Sequence, residues 1–350
     1  MISNWGFPDF DAHEGVHLFT DAASGLQAVI AVHSTHLGPA AGGVRFWHYA
    51  DSDRAITDAL RLSRGMSFKN AMAGLPMGGG KGVVLASNPG DTITQAQLEA
   101  FGRAVESLGG KYVTAEDVGM SEASMKIIAT QTRHVSGLPV AAGSAGGDPG
   151  PYTAYGVYLG VKAAAKRGLG VDSMKDVHVA IQGVGSVGGG LAKLLAKDGA
   201  RLTLADVNAG RAQALADELG AATAAADAIL GVEADVVSPN ALGAILTEQS
   251  IDALKTKVIA GGANNQLETR EDGARLAERG ILYAPDYVIN AGGIINVALE
   301  YLGQGDEAEV TERIERIPTR LVEVWDEADR SGSPSSDVAD MLARRLIGRG

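Results

Sequence analysis

The segment Val177-His-Val-Ala-Ile181-Gln182-Gly183-Val184-Gly185-Ser186-Val187-Gly188 decides the fold. Its first half is a short apolar run bounded by a glycine, which reads as a buried strand. Its second half spaces three glycines as GxGxxG and leads into Leu191-Ala-Lys-Leu-Leu195, apolar at helical intervals. Strand, tight turn and helix in that order aim backbone amides at a point that only glycines let a pyrophosphate reach. The hexad alone is weak evidence, so the next strand matters. Leu202-Thr-Leu-Ala-Asp206 ends on an acid 18 positions after Gly188 (206 − 188), close to the spacing of roughly 20 at which a carboxylate meets the ribose diol. Gly183, Gly185, Ser186, Val187 and Gly188 therefore read as a dinucleotide cradle, with Asp206 and Val207 beside the ribose. A carboxylate there repels a 2′-phosphate and favours NAD over NADP, although Arg211 stands near enough in sequence to reach a phosphate. The structural alternative for Asp206 is a helix N-cap or a surface carboxylate.

Working outward, short apolar strands recur at residues 177–182, 202–206, 234–237, 257–260 and 281–284, separated by helical stretches. That alternation predicts a mostly parallel, doubly wound sheet. The residues before it mix strands and helices without a regular order: a strand at 25–33, a helix at 52–65, and a helix opened by the capping box Thr94-Gln-Ala-Gln97. A strand at 111–114 follows. The loop at 143–151, dense in Gly and Pro, places a hinge. The expected fold class is α/β with two domains flanking a cleft: an N-terminal α/β substrate and oligomerisation domain over 1–142, and a Rossmann-type domain over 143–330. Polar helical segments at 306–330 and 335–346 close the chain, and residues 331–350 are expected to pack back on the first domain.

Composition narrows the function. The 350 residues carry 42 acidic against 30 basic side chains, a net charge of −12, which argues against nucleic acid or an anionic membrane as partner. With no cysteine, disulfides, thiolate metal sites and thiol nucleophiles are excluded. The seven histidines are scattered and no carboxylates complete a ligand set around His33 and His36, so no metal is expected. The N-terminus lacks a basic and apolar leader, and no apolar run approaches the ~18 residues that a membrane span needs; a cytoplasmic location is the expectation.

The chemistry-bearing residues lie before the hinge. Leu75-Pro-Met-Gly-Gly-Gly-Lys81-Gly82 sets a lysine on glycines that leave the backbone open to a ligand. An ammonium in a desolvated cleft loses preference for its charged form and becomes a base near neutral pH. As pure structure, the same residues read as a glycine-rich turn before a strand at Val83-Val84-Leu85-Ala86. Lys69 follows Gly65-Met66-Ser-Phe, with a solvated helix face as its bland reading. Asp117 ends Thr114-Ala115-Glu116-Asp117, with a cap on a helix after Gly119 as its own. Two lysines and an aspartate suit an α-amino acid, which offers a carboxylate to pair, an amino group to deprotonate and a carbon that water attacks once an imine forms.

These segments together resemble the glutamate, leucine, phenylalanine and valine dehydrogenase family, most closely its leucine branch. The resemblance runs from about Gly38 to Val297. It is carried by Gly38-Pro-Ala-Ala-Gly-Gly43, Met66-Ser-Phe-Lys69-Asn70, Gly78-Gly-Gly-Lys81, Thr114-Ala-Glu-Asp117, Thr153-Ala-Tyr-Gly156, the GxGxxG hexad, Gly261-Gly-Ala-Asn264-Asn265 and Ala284-Pro-Asp-Tyr-Val-Ile-Asn290-Ala-Gly-Gly293. It implies reversible oxidative deamination with NAD in a homo-oligomer. Lys69 would pair the substrate carboxylate, with Gly42, Gly43 and Met66 nearby; Lys81 would activate water; Asp117 would carry the proton of the substrate nitrogen. Asn264 would orient substrate or nicotinamide, Thr153 would bond the carboxamide, and Asn240 lies near the nicotinamide as a departure from the family pattern. The implied side-chain pocket, Ala41, Ala115, Ile294 and Val297, is apolar and offers no cation for a glutamate side chain. Ala41 stands where leucine dehydrogenases commonly have leucine, which enlarges the cavity and keeps phenylalanine open beside leucine, valine and isoleucine. A regulator that senses NAD without turnover is the remote alternative; it predicts loss of Lys69, Lys81 or Asp117, and all three are present.

Overall fold

The computed structural model describes residues 6–139 and 143–350. They divide into two compact units, one formed by residues 1–148, 295–310 and 343–350, the other by 149–294 and 311–342. The boundary between 148 and 149 falls inside the expected hinge loop; residue 142, where the expected first domain ends, lies outside the described residues. The division differs from the sequence expectation in two ways. Residues 295–310 belong to the first unit, and of the closing stretch only 343–350 does.

In the first unit the chain runs β1 (Gly15–Asp21), β2 (Leu26–Ser34), β3 (Ala40–Ala41), β4 (Val44–Trp47), α1 (Ser52–Met72), β5 (Gly78–Leu85), α2 (Gln95–Ser107), β6 (Tyr112–Val113) and α3 (Glu122–Ala129). The strands form a mixed sheet ordered β1-β2-β5-β3-β6, with β4 also paired to β5. Strand periodicity sorts its two faces. Ala28, Ile30, Val32, Val44, Phe46 and Val84 pack under α2 and α3, whereas Val29, Ala31 and Val83 meet Ala55, Ile56, Ala59 and Leu60 of α1. Lys81 pairs with Ala31 and Arg45 with Val83, so both belong to the α1 face. The structural alternative of a glycine-rich turn does not hold at 78–80: Gly78 to Gly80 are buried within β5, and a Cβ at Gly79 would strike the backbone of Ser67 in α1. Glycine here lets a helix lie unusually close to a strand. Helix α1 continues seven residues past the expected stop at Gly65, because Gly65 faces open space and Ser67, Phe68, Asn70, Ala71 and Met72 beyond it are buried.

The second unit begins with α4 (Gly150–Leu169). It continues through β7 (His178–Gln182), α5 (Ser186–Lys197), β8 (Arg201–Ala205), α6 (Ala209–Leu219), β9 (Ala222–Thr223), β10 (Val236–Pro239), α7 (Glu248–Ala253), β11 (Val258–Ile259), α8 (Arg270–Glu278), β12 (Leu282–Tyr283) and α9 (Asp286–Ile289). All its paired strands are parallel, in the order β12-β11-β10-β7-β8-β9. The order reverses between β7 and β10, and ligands of doubly wound sheets bind beyond the carboxyl ends of the strands at that point. The five expected strands are present; β9, two exposed residues on the sheet edge, has no apolar run to announce it.

Helix α10 (Gly292–Leu302) starts in the second unit and ends in the first, followed by α11 (Glu307–Ile314), α12 (Ile317–Ser331) and α13 (Ser335–Leu346). The single helical segment expected over 306–330 is thus two, with Pro318 in the first turn of α12, where its missing N–H goes unneeded. Arg344 pairs with Asp11 at 2.8 Å and Arg349 Nη1 donates to His33 Nε2 at 2.7 Å, which fastens the chain end to the first unit. Residues earlier in α13 stay with the second unit through Arg270–Asp337 and Tyr287–Asp340. Among the described residues no helix is long and apolar enough to cross a membrane, and no group of three His, Asp or Glu side chains could hold a metal.

Candidate functional site

In the first unit the carboxyl ends of β3 and β6 and the middle of β5 converge. Gly42 lies so close to Gly80 that a Cβ would collide with its carbonyl and crowd Met66, and Gly43 is pressed in the same way against the Glu116 carbonyl and Asp117. Val44 N–H donates to the Ala115 carbonyl at 2.9 Å, which carries the sheet contact past β6 to the Asp117 loop. Met66 and Lys69 are one helical turn apart, so they share a side of α1, and Lys69 is half-buried in its last turn. Gly42, Gly43, Met66, Lys69, Lys81, Ala115 and Asp117 therefore belong to one neighbourhood. Ala41 ends β3 and is buried. The helix after Gly119 is capped by Ser121, not by Asp117, so the carboxylate is free for other work.

Lys81 is 6% exposed, and its Nζ donates to Asp117 Oδ2. Burial, the strongest influence, pushes the ammonium below its ordinary range; the carboxylate of Asp117 opposes this without overcoming it. Asp117 experiences the mirror image. Burial would raise its carboxyl, but Lys81 and Arg45 together hold it below the usual value. The expectation that Lys81 titrates low is met, and Arg45 is a cation that adds to the downward push of burial. Arg45 Nε donates to Asp117 Oδ2 at 3.2 Å, and its Nη1 to Asp58 Oδ2 at 3.0 Å. Sequence reasoning missed Arg45 and Asp58. The one available signal was a charged residue between apolar neighbours in Val44-Arg-Phe-Trp47, immediately after Gly42-Gly43.

In the second unit the hexad forms the expected turn. Gly183 adopts φ +83°, a left-handed conformation costly for other residues, and Gly188 approaches its carbonyl too closely for any side chain. Gly185 is the N-cap of α5 and makes no side-chain cap, so the amides around Ser186 and Val187 keep the positive end of the helix dipole exposed. Asp206 is more tightly held than a free ribose acceptor. Oδ2 accepts from Val184 N–H at 2.9 Å, Oδ1 from Asn208 N–H at 2.8 Å, and Arg211 lies 3.6 Å away. Burial would raise its carboxyl, yet these amides hold it below the usual range. The N-cap of α6 is Asn208 rather than Asp206. Val207 beside it is 91% exposed.

Asn240 closes the end of β10: its Nδ2 donates to the Ser238 carbonyl and its Oδ1 accepts from Gly262 N–H, both at 2.9 Å. Asn290 Nδ2 donates to Asn264 Oδ1 at 2.7 Å, which turns the amide N–H groups of Asn264 the other way. Thr153 Oγ1 donates to the Pro149 carbonyl at 2.9 Å, and Gly293 lies hard against it. Ile294 and Val297, three apart on α10, are both half-buried.

Two family models match the chain: the dimerisation domain of Glu/Leu/Phe/Val dehydrogenase over residues 13–134, and Glutamate/Leucine/Phenylalanine/Valine dehydrogenase over 207–347. Leucine dehydrogenase of Thermoactinomyces intermedius is 48% identical over 96% of this chain and 91% of its own length. Valine dehydrogenase of Streptomyces albus is 44% identical over 97% and 93%. Among solved structures, L-tryptophan dehydrogenase of Nostoc punctiforme superposes with a TM-score of 0.86 at 37% identity, covering 96% of each chain.

Proposed function

This chain belongs to the glutamate/leucine/phenylalanine/valine dehydrogenase family, and on that premise we propose that it oxidises leucine, valine or isoleucine with NAD, yielding the 2-oxo acid and ammonia. The observation that carries the reading is a buried lysine facing an aspartate, with a second lysine one turn from Met66. Lys69 pairs the substrate carboxylate and leaves the Cα–N bond facing Asp117. Asp117 takes a proton from the substrate nitrogen, since only a neutral amine can become an imine. Lys81, whose burial favours the neutral amine, then removes a proton from the water that attacks the imine carbon. Water supplies the new carbonyl oxygen: Asp117 returns its proton to the nitrogen, which departs as ammonia, while the hydroxyl proton is released to solvent as the carbonyl forms. Gly183, Gly185, Ser186, Val187 and Gly188 fit a pyrophosphate, with Asp206 and Val207 toward the ribose and Thr153, Asn240 and Asn264 toward the nicotinamide. When bound, NAD supplies the acceptor for the hydride leaving Cα. Self-assembly is part of the proposal, because the model matching 13–134 is a dimerisation domain and β1 is an edge strand with Leu18 67% exposed. The decisive test is NAD reduction by the purified protein with each proteinogenic amino acid at alkaline pH; no turnover with any of them sinks the reading.

NAD is preferred to NADP because Asp206 stands at the end of β8 with its charge retained. Asp206→Ala is expected to weaken NAD and improve the relative use of NADP. It removes the repulsion against a 2′-phosphate, frees Arg211 and loosens the Val184 amide. Kinetics with both cofactors check this; an unchanged preference would put Asp206 outside the ribose pocket.

An aromatic substrate is the second reading, favoured by the small Ala41 and by the structural neighbour named for tryptophan. Ala41→Leu is expected to lower the phenylalanine to valine ratio of kcat/KM by about 1–3 kcal/mol, because the added carbons fill volume that a larger substrate would use. A ratio that stays the same or rises removes residue 41 from the pocket and, with it, this reason for an aromatic substrate.

A further inference from the structure

Asp58, on α1, is 9% exposed and accepts from three donors: Arg45 Nη1 at 3.0 Å, Tyr49 Oη at 2.6 Å and Arg61 Nη2 at 3.0 Å. A buried carboxylate needs its charge compensated, and Tyr49 with Arg61 already serve it. Arg45 is therefore surplus to Asp58. Its other edge reaches Asp117 Oδ2, the same oxygen that Lys81 contacts. We propose that Arg45, anchored by Asp58, is a positioning residue that clamps the Asp117 carboxylate against Lys81 and biases the proton between them. This role rests on the assignment of Lys81 and Asp117 made above.

The geometry demands a guanidinium. One planar group directs Nε to one carboxylate and Nη1 to another, and so fixes the Asp117 side chain relative to the rigid α1 helix. A lysine offers a single point charge and cannot hold both. The strand register delivers Arg45 to this place: β4 and β5 are parallel neighbours, and alternation puts Arg45 on the α1 face that also carries Lys81. The charged groups acting on Lys81 include Asp117 from the loop after β6, Arg45 from β4 and Asp58 from α1. Arg45 opposes the protonated form of Lys81 directly and also neutralises part of the Asp117 charge that favours it. Removing Arg45 therefore lets Lys81 keep its proton to higher pH.

The test compares full-length Arg45→Met, Arg45→Lys and Asp58→Asn enzymes with the wild type, measuring kcat and KM across pH with leucine and NAD. Arg45→Met is expected to lower kcat about 10- to 100-fold, the scale of a misplaced reacting group. KM for leucine changes little, since Lys69 is retained, and the rise of activity with pH moves to higher pH. Arg45→Lys returns the profile toward the wild type without restoring kcat. Asp58→Asn, which touches neither Lys81 nor Asp117, lowers kcat with KM preserved, and it serves in place of Arg45→Met should that variant fail to fold. A pH profile and kcat unchanged in Arg45→Met, complete rescue by lysine, or wild-type kcat in Asp58→Asn overturns the proposal. A wild type that reduces no NAD with any amino acid removes the reading beneath it instead. An active wild type with unaffected variants removes only the role of Arg45.

Discussion

Lys81→Ala is expected to lower kcat by about 10² to 10⁴, the usual consequence of losing a general base, while NAD affinity stays near that of the wild type. The second half follows from where the residue lives: Lys81 is in β5 of the first unit, whereas the glycine turn and Asp206 are built by the second. The first half follows from its surroundings. At 6% exposure the alanine variant leaves a space that bulk water does not fill with a comparable base, and Asp117 is already committed to the proton of the substrate nitrogen. Titration of NAD binding separates this from misfolding. A variant that keeps more than about a tenth of wild-type kcat would show that Lys81 does not activate the water.

The parts of this site that are written locally could be read from the sequence, and those written across the sheet could not. The GxGxxG turn depends on residues within a dozen positions of one another, and its strand, turn and helix formed where expected. Lys81 and Asp117 were singled out by their glycine and acidic neighbours, but that one donates to the other depends on β3 lying between β5 and β6. Arg45 is 72 residues from Asp117, and its register on β5 places it. The alternative of a glycine-rich turn at 78–80 failed for a related reason: glycine signals a turn locally, yet here it answers the close approach of α1 from a distant part of the chain. Gly65 misled in the opposite sense, since a helix glycine facing solvent loses only about 1 kcal/mol and the buried residues beyond it outweigh that. The division of α10 between the units is likewise a tertiary fact, without a mark in its mostly apolar sequence.

Asp117→Asn is expected to lower kcat by about 10² to 10⁴ as well, and its signature is the direction in which the pH profile moves. Asparagine keeps the size of the side chain and can still accept from Arg45, so the loop between β6 and α3 should hold its place. What it loses is the charge. In the wild type that charge raises Lys81 against the downward push of burial; without it, the lysine is left buried beside Arg45, and both act to expel its proton. The ammonium then deprotonates at lower pH than in the wild type, and the residual activity should reach its plateau earlier as pH rises. This is opposite to the shift expected for Arg45→Met, although both changes slow the enzyme. The two profiles, measured with leucine on proteins of matched circular dichroism, therefore separate a proton carrier from its positioning group. Displacement of the Asp117→Asn profile to higher pH would mean that Asp117 does not set the ionisation of Lys81, and near-normal kcat would mean that the substrate nitrogen gives its proton to another group.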